Sequence, residues 1–253
     1  MSRLRARCPD CGTNTAVALG PEYQCHSCGR EFAAGLVRVA RAWGNGGEAM
    51  AQAAFLPLPY PETSVVEEDT LAMQSLQVAS ELPERPLVLG GCCCAHVGAI
   101  EALSQRYDRL GVLWIDAHGD LNTPATSPSG NAWGMPLRMA IDSGAVAAGD
   151  VSLVGARALD PAEEEFIAEH GIALEPWLGE VDAVYVAVDG DGLAPGELAV
   201  FMPEPGGPRL DELEALLRET ASRIPVAGAG FSGLLPDEAN VAPLTRLCQA
   251  LGL

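Results

Sequence analysis

Short apolar runs alternate with longer amphipathic stretches along most of the chain. Runs rich in Val, Leu and Ile predict buried strands at residues 36–43, 87–89, 111–115, 151–154, 183–188 and 226–231. Apolar positions at helical spacing predict helices at residues 65–82, 97–107, 135–141, 161–170, 209–222 and 241–251. Strands that alternate with helices predict a parallel sheet covered on both faces, with ligands at the carboxyl ends of the strands.

Two of the predicted strands end in acidic motifs. Asp116, His118 and Asp120 follow the run at residues 112–115, and Asp189 and Asp191 follow the run at 183–188. Alternate residues of an extended segment point to the same face, so the side chains of each motif converge. Carboxylates and imidazole are common ligands of divalent metals. The pattern therefore favours a metal site at the sheet edge over a turn whose charges face solvent.

The order of these motifs resembles that of the ureohydrolase family, which includes arginase, agmatinase and formiminoglutamase. The matching segments are D-A-H-G-D at residues 116–120, S-G-N at 129–131 and D-G-D-G-L-A-P at 189–195. The resemblance extends from about residue 87 to the C-terminus. It implies a three-layer α/β/α parallel sheet of the arginase/deacetylase type. It also implies a metal-dependent hydrolase, which cleaves a C–N bond of an amino-acid-like guanidino or amidino substrate by metal-bound hydroxide.

The resemblance further implies two divalent metals, usually manganese, and matches five of their six usual ligands. These five are Asp116, His118, Asp120, Asp189 and Asp191. The sixth ligand in the family is a histidine in a G-G-D-H-S segment, where this chain reads G-G-C-C-C-A-H at residues 90–96.

Cys93 stands at the position of that missing histidine. We expect it to bind as a thiolate, which shifts the preference from manganese towards zinc or iron. Three alternatives stay open at this point. In the first, His96 binds the metal in place of Cys93. In the second, the first metal position is weakened or empty, and in the third, the cysteines are only small buried residues below the sheet edge.

Several substrate-side positions of the family are retained. Asn122, Ser129 and Asn131 match the loop that holds the amino acid's carboxylate in arginase. Asp160 and Glu163 match the segment that contacts the α-amino group. Asp160 is also a predicted helix cap, since it directly precedes the helix at residues 161–170.

Two further positions affect the expected chemistry. Glu212 falls where the family places the carboxylate that pairs with the guanidinium, which gives it a catalytic role by resemblance. Trp133 replaces a family histidine that is believed to shuttle a proton or to orient substrate. An indole can stack on a planar cation, but it cannot transfer a proton. Ordinary arginase chemistry is therefore not the expectation, whereas binding of a guanidinium-like group is.

The N-terminal segment carries a second metal motif. Cys8 and Cys11 form one C-x-x-C knuckle, and Cys25 and Cys28 form another. Two such knuckles predict a tetrahedral Cys₄ zinc site, and four thiolates leave no open position, so the zinc is expected to be structural. We predict a zinc ribbon at residues 1–35 and a ureohydrolase-like catalytic domain at 36–253. The ribbon would serve as a lid, an oligomer contact or a docking module for a protein partner.

Composition narrows the classes of partner. The chain has 253 residues and a formal net charge of −19, which disfavours binding to nucleic acid or to an anionic membrane. No apolar run has the length of a signal peptide or a membrane span. We expect a cytoplasmic protein with reduced cysteines, and the family's trimers and hexamers suggest a homo-oligomer.

Two other functions remain open from the residues alone. The first is a mononuclear-metal amidohydrolase of the deacetylase type, which the metal count per catalytic domain would distinguish. The second is a non-catalytic binding protein, which the tryptophan at position 133 favours and the five retained ligands argue against.

Overall fold

A computed structural model describes residues 5–176 and 179–253. Its N-terminal part is a small antiparallel sheet of four strands in sequential order, β1 (Arg5–Ala6), β2 (Ala16–Leu19), β3 (Glu22–Cys25) and β4 (Glu31–Phe32). Its core contains Tyr23 and Phe32 beside two of the cysteines. A second sheet begins at Gly35, and the domain boundary at residue 35 stays a prediction.

The second sheet has seven strands, and every pairing within it is parallel. The strands are β5 (Gly35–Val39), β6 (Glu62–Val66), β7 (Pro86–Gly90), β8 (Leu110–Ile115), β9 (Val151–Val154), β10 (Ala183–Asp189) and β11 (Val226–Ser232). Their order across the sheet is β6-β5-β7-β11-β10-β8-β9. The central strands are buried along their whole length, which explains their continuous apolar runs.

Helices connect these strands. They are α1 (Glu48–Ala51), α2 (Leu71–Glu81), α3 (Val97–Ser104), α4 (Pro136–Asp142), α5 (Pro161–His170), α6 (Leu210–Arg223) and α7 (Val241–Ala250). The predicted α/β alternation is therefore confirmed. None of the helices in the described ranges combines the length and apolar character needed to cross a membrane.

The two faces of the large sheet carry separate hydrophobic cores. Along β8, Leu113 and Ile115 contribute to one core, whereas Val112 and Trp114 contribute to the other. Helices α6 and α7 cover the first face, and α2 to α5 cover the second. This arrangement gives three layers, as predicted, and leaves the carboxyl ends of the strands open for a site.

The helix predicted at residues 65–82 is wrong in its first part. Glu62–Val66 forms strand β6, and the helix begins only at Leu71. The β-branched Val65 and Val66 favour the extended chain, and Thr70 then caps the helix by accepting a hydrogen bond from the Met73 N–H.

The small sheet is joined to the edge of the large sheet at β6. The Arg7 N–H donates to the Glu62 carbonyl at 2.8 Å, and the Glu62 N–H donates to the Arg7 carbonyl at 3.0 Å. Glu62 also binds Arg38 on the neighbouring strand, with Nε to Oε2 at 2.6 Å. A Cβ atom at Gly35 would lie 2.8 Å from the Tyr23 ring, so the two sheets are in close contact there.

Candidate metal centre and cavity

The acidic motifs meet at the carboxyl ends of neighbouring strands. Strands β8 and β10 are adjacent, and β7 delivers the 3-10 turn Cys93–His96 to the same edge of the sheet. The cavity above this edge has a volume of about 420 Å³. Its lining includes every active-site ligand predicted from the sequence, which are Cys93, Asp116, His118, Asp120, Asp189 and Asp191.

A first potential ligand group contains Cys93, Asp116 and Asp120, whose ligand atoms all lie within 4.8 Å of one another. Cys93 Sγ lies 2.8 Å from Asp189 Oδ2, 3.8 Å from Asp116 Oδ2 and 3.2 Å from Ser232 Oγ. Burial and the surrounding carboxylates raise the pKa of this thiol well above its usual value. Without a cation the thiol therefore stays protonated and donates to Asp189.

A second group contains Asp116, His118 and Asp191, again within 4.8 Å. His118 Nδ1 lies 3.5 Å from Asp116 Oδ1 and 3.3 Å from Asp191 Oδ2. Burial alone would lower the pKa of His118, but these two carboxylates raise it to about 12. Asp116 belongs to both groups, so the two candidate cation positions are adjacent and share a carboxylate.

Local hydrogen bonds fix the carboxylates. Asp116 accepts from the His118 N–H at 2.8 Å and from Trp114 Nε1 at 3.2 Å. Asp189 accepts from the Asp191 N–H at 3.1 Å, and Asp191 in turn accepts from the Ala117 N–H at 3.2 Å. Asp116 and Asp189 thus accept hydrogen bonds at both of their carboxylate oxygens, and these bonds hold the carboxylates in position.

The surroundings of the Asp120 carboxylate show whether the site suits a cation. Asp120 is 3% exposed, and its Oδ2 has no hydrogen-bond partner. It is also the one non-glycine residue with a positive φ, 53°, in the described ranges. A buried acceptor without a donor is costly, and strained backbone is concentrated at functional sites. Burial, then the neighbouring Asp116 and Asp189, raise the pKa of this carboxyl well above its usual range. A bound cation would satisfy the free oxygen and offset the repulsion.

His96 does not join either group. It is completely buried, with Nδ1 3.0 Å from the Tyr185 hydroxyl and Nε2 3.1 Å from Ser232 Oγ. Burial lowers its pKa to about 3, so the ring is neutral. Both ring nitrogens are engaged by hydroxyl groups, and this placement argues against the alternative in which His96 replaces the family's histidine.

The predicted substrate-side residues form another part of the cavity lining. Asn122 Nδ2 donates to Asp160 Oδ2 at 2.8 Å, so these two polar groups act as a unit. The two carboxylate oxygens of Glu163 accept from the Leu121 N–H and the Asp160 N–H, both at 2.9 Å. Glu163 lines the cavity, yet its hydrogen bonds hold the motif loop against the start of α5. Asp160 caps α5 as predicted.

Ser129, Asn131 and Trp133 lie in the segment that follows β8, and they also line the cavity. Asn131 Oδ1 accepts from the Asn45 N–H at 2.9 Å, which ties this loop to the segment after β5. The Trp133 ring is half-buried and meets the Phe201 ring edge-on, with centroids 6.0 Å apart.

The structure does not bring Glu212 to the cavity, which corrects the expected catalytic role. Glu212 is exposed in the first turn of α6, and its Oε2 accepts from the Arg209 N–H at 2.8 Å. This contact is one half of a capping box, which satisfies a backbone donor that the helix leaves free.

A different carboxylate, Glu204, approaches the site. Its Oε1 lies 3.8 Å from His118 Nε2. Arg157 holds this segment in place, because its guanidinium donates to the carbonyl groups of Asp191 at 2.7 Å, Glu204 at 3.1 Å and Pro205 at 2.8 Å. The sequence around Glu204 contains no recognisable motif. The contact between Glu204 and His118 is therefore visible only in the three-dimensional structure.

The four N-terminal cysteines also converge. Cys8 Sγ lies 3.7 Å from Cys28 Sγ, and Cys11 Sγ lies 3.6 Å from Cys25 Sγ. All four sulfurs are within 4.8 Å of one another. Zinc–sulfur bonds of about 2.3 Å in a tetrahedron imply sulfur–sulfur distances of about 3.8 Å, so the donor set fits one zinc ion.

Comparisons with known proteins agree with this architecture. The model of the Arginase family matches residues 49–246. The arginase of Bacillus caldovelox is 34% identical over 189 residues, which cover 61% of this chain and 63% of that protein. The arginase of Staphylococcus aureus (strain COL) is 45% identical over 97 residues, 34% of this chain. The match spans only 32% of that relative's length.

A solved structure extends the similarity over most of the chain. The crystal structure of arginase from Bacillus subtilis superposes with a TM-score of 0.73 at 25% identity. The superposition covers 86% of this chain and 97% of that one.

Proposed function

This chain belongs to the arginase family, and from that membership we propose that it hydrolyses a C–N bond of a guanidino or amidino substrate. One observation carries the proposal. Two ligand groups that share Asp116 lie at the end of a cavity, and the buried Oδ2 of Asp120 beside them has no donor. This arrangement is suited to a pair of divalent cations.

The residues that would hold the cations follow from the two groups. Cys93, Asp116 and Asp120 would hold one, and Asp116, His118 and Asp191 the other, with Asp189 beside both. Divalent metals supply Lewis acidity when bound, which activates water and polarises the substrate. A thiolate among the ligands favours zinc or iron for the first position, whereas the purely oxygen and nitrogen set of the second also suits manganese.

The cavity's own charges support a cationic substrate. Among the described residues that line it, His118 is the one basic side chain, and six residues carry carboxyl groups. The pair formed by Asn122 and Asp160 offers a carboxylate oxygen and amide groups for the polar end of a substrate. These residues would bind and orient the guanidinium or amidinium, which brings its carbon above the motif carboxylates.

Trp133 cannot act in proton transfer, since an indole is neither a useful general acid nor a useful general base near neutral pH. In this proposal Asp120 acts as a cation ligand through its otherwise unpartnered Oδ2. Glu163 and the α5 cap keep the loop that carries Asp120 rigid.

The N-terminal cysteine group would hold a structural zinc ion. Cys8, Cys11, Cys25 and Cys28 supply four thiol groups at matching distances, and no fifth position is needed for catalysis. In this proposal the zinc stabilises the small sheet, which is too short to hold a sufficient core of its own.

Metal content per chain tests the proposal directly. The protein would be purified without chelators as wild type, Cys93→Ala and Asp191→Ala, with Asp69→Asn as an exposed control. We expect three metal ions per wild-type chain, one for each ligand group. Both cavity variants should contain fewer, and the control should match wild type. Guanidino and amidino compounds would then be screened for release of urea or ammonia.

The other outcomes discriminate between the alternatives. Two metals in the wild type and in Cys93→Ala would indicate a mononuclear site and would direct the screen to amides. A single metal, lost only when the N-terminal cysteines are replaced, would refute the hydrolase proposal and support a binding protein.

A further inference from the structure

A network of buried polar side chains adjoins the first ligand group, and neither candidate cation position uses it. The Tyr185 hydroxyl lies 3.0 Å from His96 Nδ1, and His96 Nε2 lies 3.1 Å from Ser232 Oγ. Ser232 Oγ in turn lies 3.2 Å from Cys93 Sγ and 3.3 Å from Asp189 Oδ2. We call Tyr185, His96 and Ser232 the buried network, since all three are completely buried.

The centre of the large sheet is shaped around this network. Gly230 lies within β11, and a Cβ atom there would come within 2.6 Å of both the His96 ring and the Tyr185 hydroxyl. Glycine weakens the interior of a strand, and it often marks a close approach of another group. The His96 ring also meets the Trp114 ring edge-on, with centroids 5.6 Å apart. Burying an imidazole is less favourable than burying an apolar side chain, so packing alone does not account for this arrangement.

The hydrogen bonds of the buried network have a defined direction. In the described part of the chain, His96 Nδ1 is the hydrogen-bond partner of the Tyr185 hydroxyl. A proton on Nδ1 would leave the phenol O–H without an acceptor, which is unfavourable in a buried site. The imidazole therefore accepts at Nδ1, carries its proton at Nε2 and donates from Nε2 to Ser232 Oγ. The Ser232 O–H is then free to donate to Cys93 or to Asp189.

A hydroxyl group that is held as a donor suits a thiolate at Cys93. An ionised Cys93 would face two acceptors, because its Sγ lies 3.8 Å from Asp116 Oδ2 and 2.8 Å from Asp189 Oδ2. Ser232 offers this sulfur a hydrogen-bond donor instead. Hydrogen bonds to an ionised acceptor are stronger than those between neutral groups. Donors behind a metal ligand also fix its orientation and tune the metal.

We propose that Tyr185 and His96 hold Ser232 as a hydrogen-bond donor to the Cys93 thiolate, and that this bond positions Cys93 as a ligand of the first cation. The inference rests on the proposed function, because it assumes that Cys93 binds a cation. It gives His96 a role that needs no contact with the metal. The three members of the buried network are accordingly positioning residues.

Cobalt binding to the full-length protein tests this inference, because a thiolate ligand gives Co²⁺ a charge-transfer absorption band. The spectra of wild type, Ser232→Ala and Tyr185→Phe would be compared, with Ser222→Ala as an exposed control on α6. Subtraction of the spectrum of Cys93→Ala removes the bands of the N-terminal cysteines and leaves the band of Cys93.

The expected shift follows from the effect of the hydrogen bond on the sulfur. A donor lowers the energy of the sulfur lone pairs, so its loss in Ser232→Ala should move the Cys93 band to longer wavelength. Tyr185→Phe should move the band in the same direction by a smaller amount, because the serine remains but the direction of its hydrogen bond is no longer fixed. Ser222→Ala should leave the band in place.

The affinity for zinc provides a second measurement. Loss of a group that supports a metal ligand weakens metal binding about 10–100-fold, so a competitive titration should give Ser232→Ala a Kd for the cavity at least about 10-fold above that of wild type. In the Cys93→Ala background, the same serine substitution should leave the Kd unchanged, since the hydrogen bond acts through the sulfur.

The other outcomes separate this inference from the proposed function. An unshifted Cys93 band in Ser232→Ala, or an equal loss of affinity in the Cys93→Ala background, would overturn the inference and leave the proposed function standing. So would a cavity that binds metal while wild type and Cys93→Ala have identical spectra. A wild-type cavity that binds no metal would overturn both. If Ser232→Ala does not fold, an unshifted band in Tyr185→Phe would overturn the inference.

Discussion

Replacement of Asp120 by Asn should stabilise the protein without metal and destabilise it relative to wild type once metal is added. Asp120 is buried, its Oδ2 lacks a donor and its neighbours Asp116 and Asp189 are also acidic. Asparagine keeps the shape of the side chain, removes the charge and tolerates the positive φ of 53° well. The substitution therefore changes the electrostatics of the site with little change in backbone strain.

The size of the effect follows from the missing hydrogen bond. An unsatisfied buried acceptor costs about 1–3 kcal/mol, and more when it is charged. We expect the free energy of unfolding of the metal-free variant to rise by about 2 kcal/mol, or about 4–8 °C in Tm for a chain of this size. Metal at 100 times its Kd would stabilise wild type by about 2.7 kcal/mol. The variant should gain less, because it lacks one ligand.

The effect should depend on pH in a defined direction. The pKa of Asp120 is raised in the folded protein. Its unfavourable contribution to the free energy of unfolding is therefore absent below the pKa of an aspartate in the unfolded chain, about 3.9. It develops as the pH rises above the unfolded value, and it is complete once the pH exceeds the raised folded pKa. The advantage of the asparagine variant should therefore grow as the pH rises above about 4.

Thermal unfolding followed by circular dichroism, with and without added Zn²⁺ or Mn²⁺, would measure both effects. Asp69→Asn is the matched control, since its side chain is fully exposed and it should change the stability by no more than about 0.5 kcal/mol. If Asp120→Asn lowered the Tm of the metal-free protein, or responded to metal as wild type does, the assignment of Asp120 as a cation ligand would be wrong.

Four further variants or measurements probe other parts of the site. Cys93→His should shift the metal recovered with the protein from zinc towards manganese, and elemental analysis that shows the same metal in both proteins would contradict the thiolate assignment. Glu204→Gln should weaken metal binding about 10-fold in a calorimetric titration, because the carboxylate orients His118; an unchanged Kd would exclude this role. Glu212→Gln should keep kcat/KM and Tm near wild type, since glutamine also completes a capping box, and a 100-fold loss of activity would restore the role expected from the sequence. Zinc binding at pH 7 should release protons from His118 and Cys93, because the pKa values of both groups are raised. Calorimetric titrations in two buffers of different ionisation enthalpy would count the released protons, and Cys93→Ala should release about one proton fewer than wild type. Equal release from the two proteins would argue against a thiolate ligand.

Much of the fold could be predicted because its strands are buried on both faces. Continuous apolar runs such as the one in β8 (Leu110–Ile115) have no other simple explanation, and the same runs fix where the acidic motifs emerge. Strand β6 escaped prediction because it lies at the sheet edge and is half-exposed, so Glu62, Thr63 and Ser64 give it no apolar run. Only its pairing with β5 makes it a strand.

The candidate site could likewise be predicted only in part. Ligands within a short motif share a strand end, so their spacing alone places them together. Glu204 lies on the long connection between β10 and α6, and Glu212 lies in the first turn of α6. The linear sequence does not determine which of these two carboxylates turns towards the site. The clamp formed by Arg157 decides it, because it fixes the loop around Glu204 with three carbonyl groups and leaves Glu212 to cap α6. Hydrogen bonds between distant segments of this kind have no signature in the sequence.

The junction between the two sheets has a consequence for solubility. An unpaired strand edge recruits strands from other molecules and leads to aggregation. On the outer side of β6, Arg7 pairs with Glu62, and Val65 is 44% exposed further along the strand. Arg7 directly precedes Cys8, so its position depends on the cysteine cluster. If the cluster holds the proposed zinc ion, chains that lack zinc or are oxidised at these thiols should aggregate through an exposed sheet edge while the seven-stranded sheet itself is still folded.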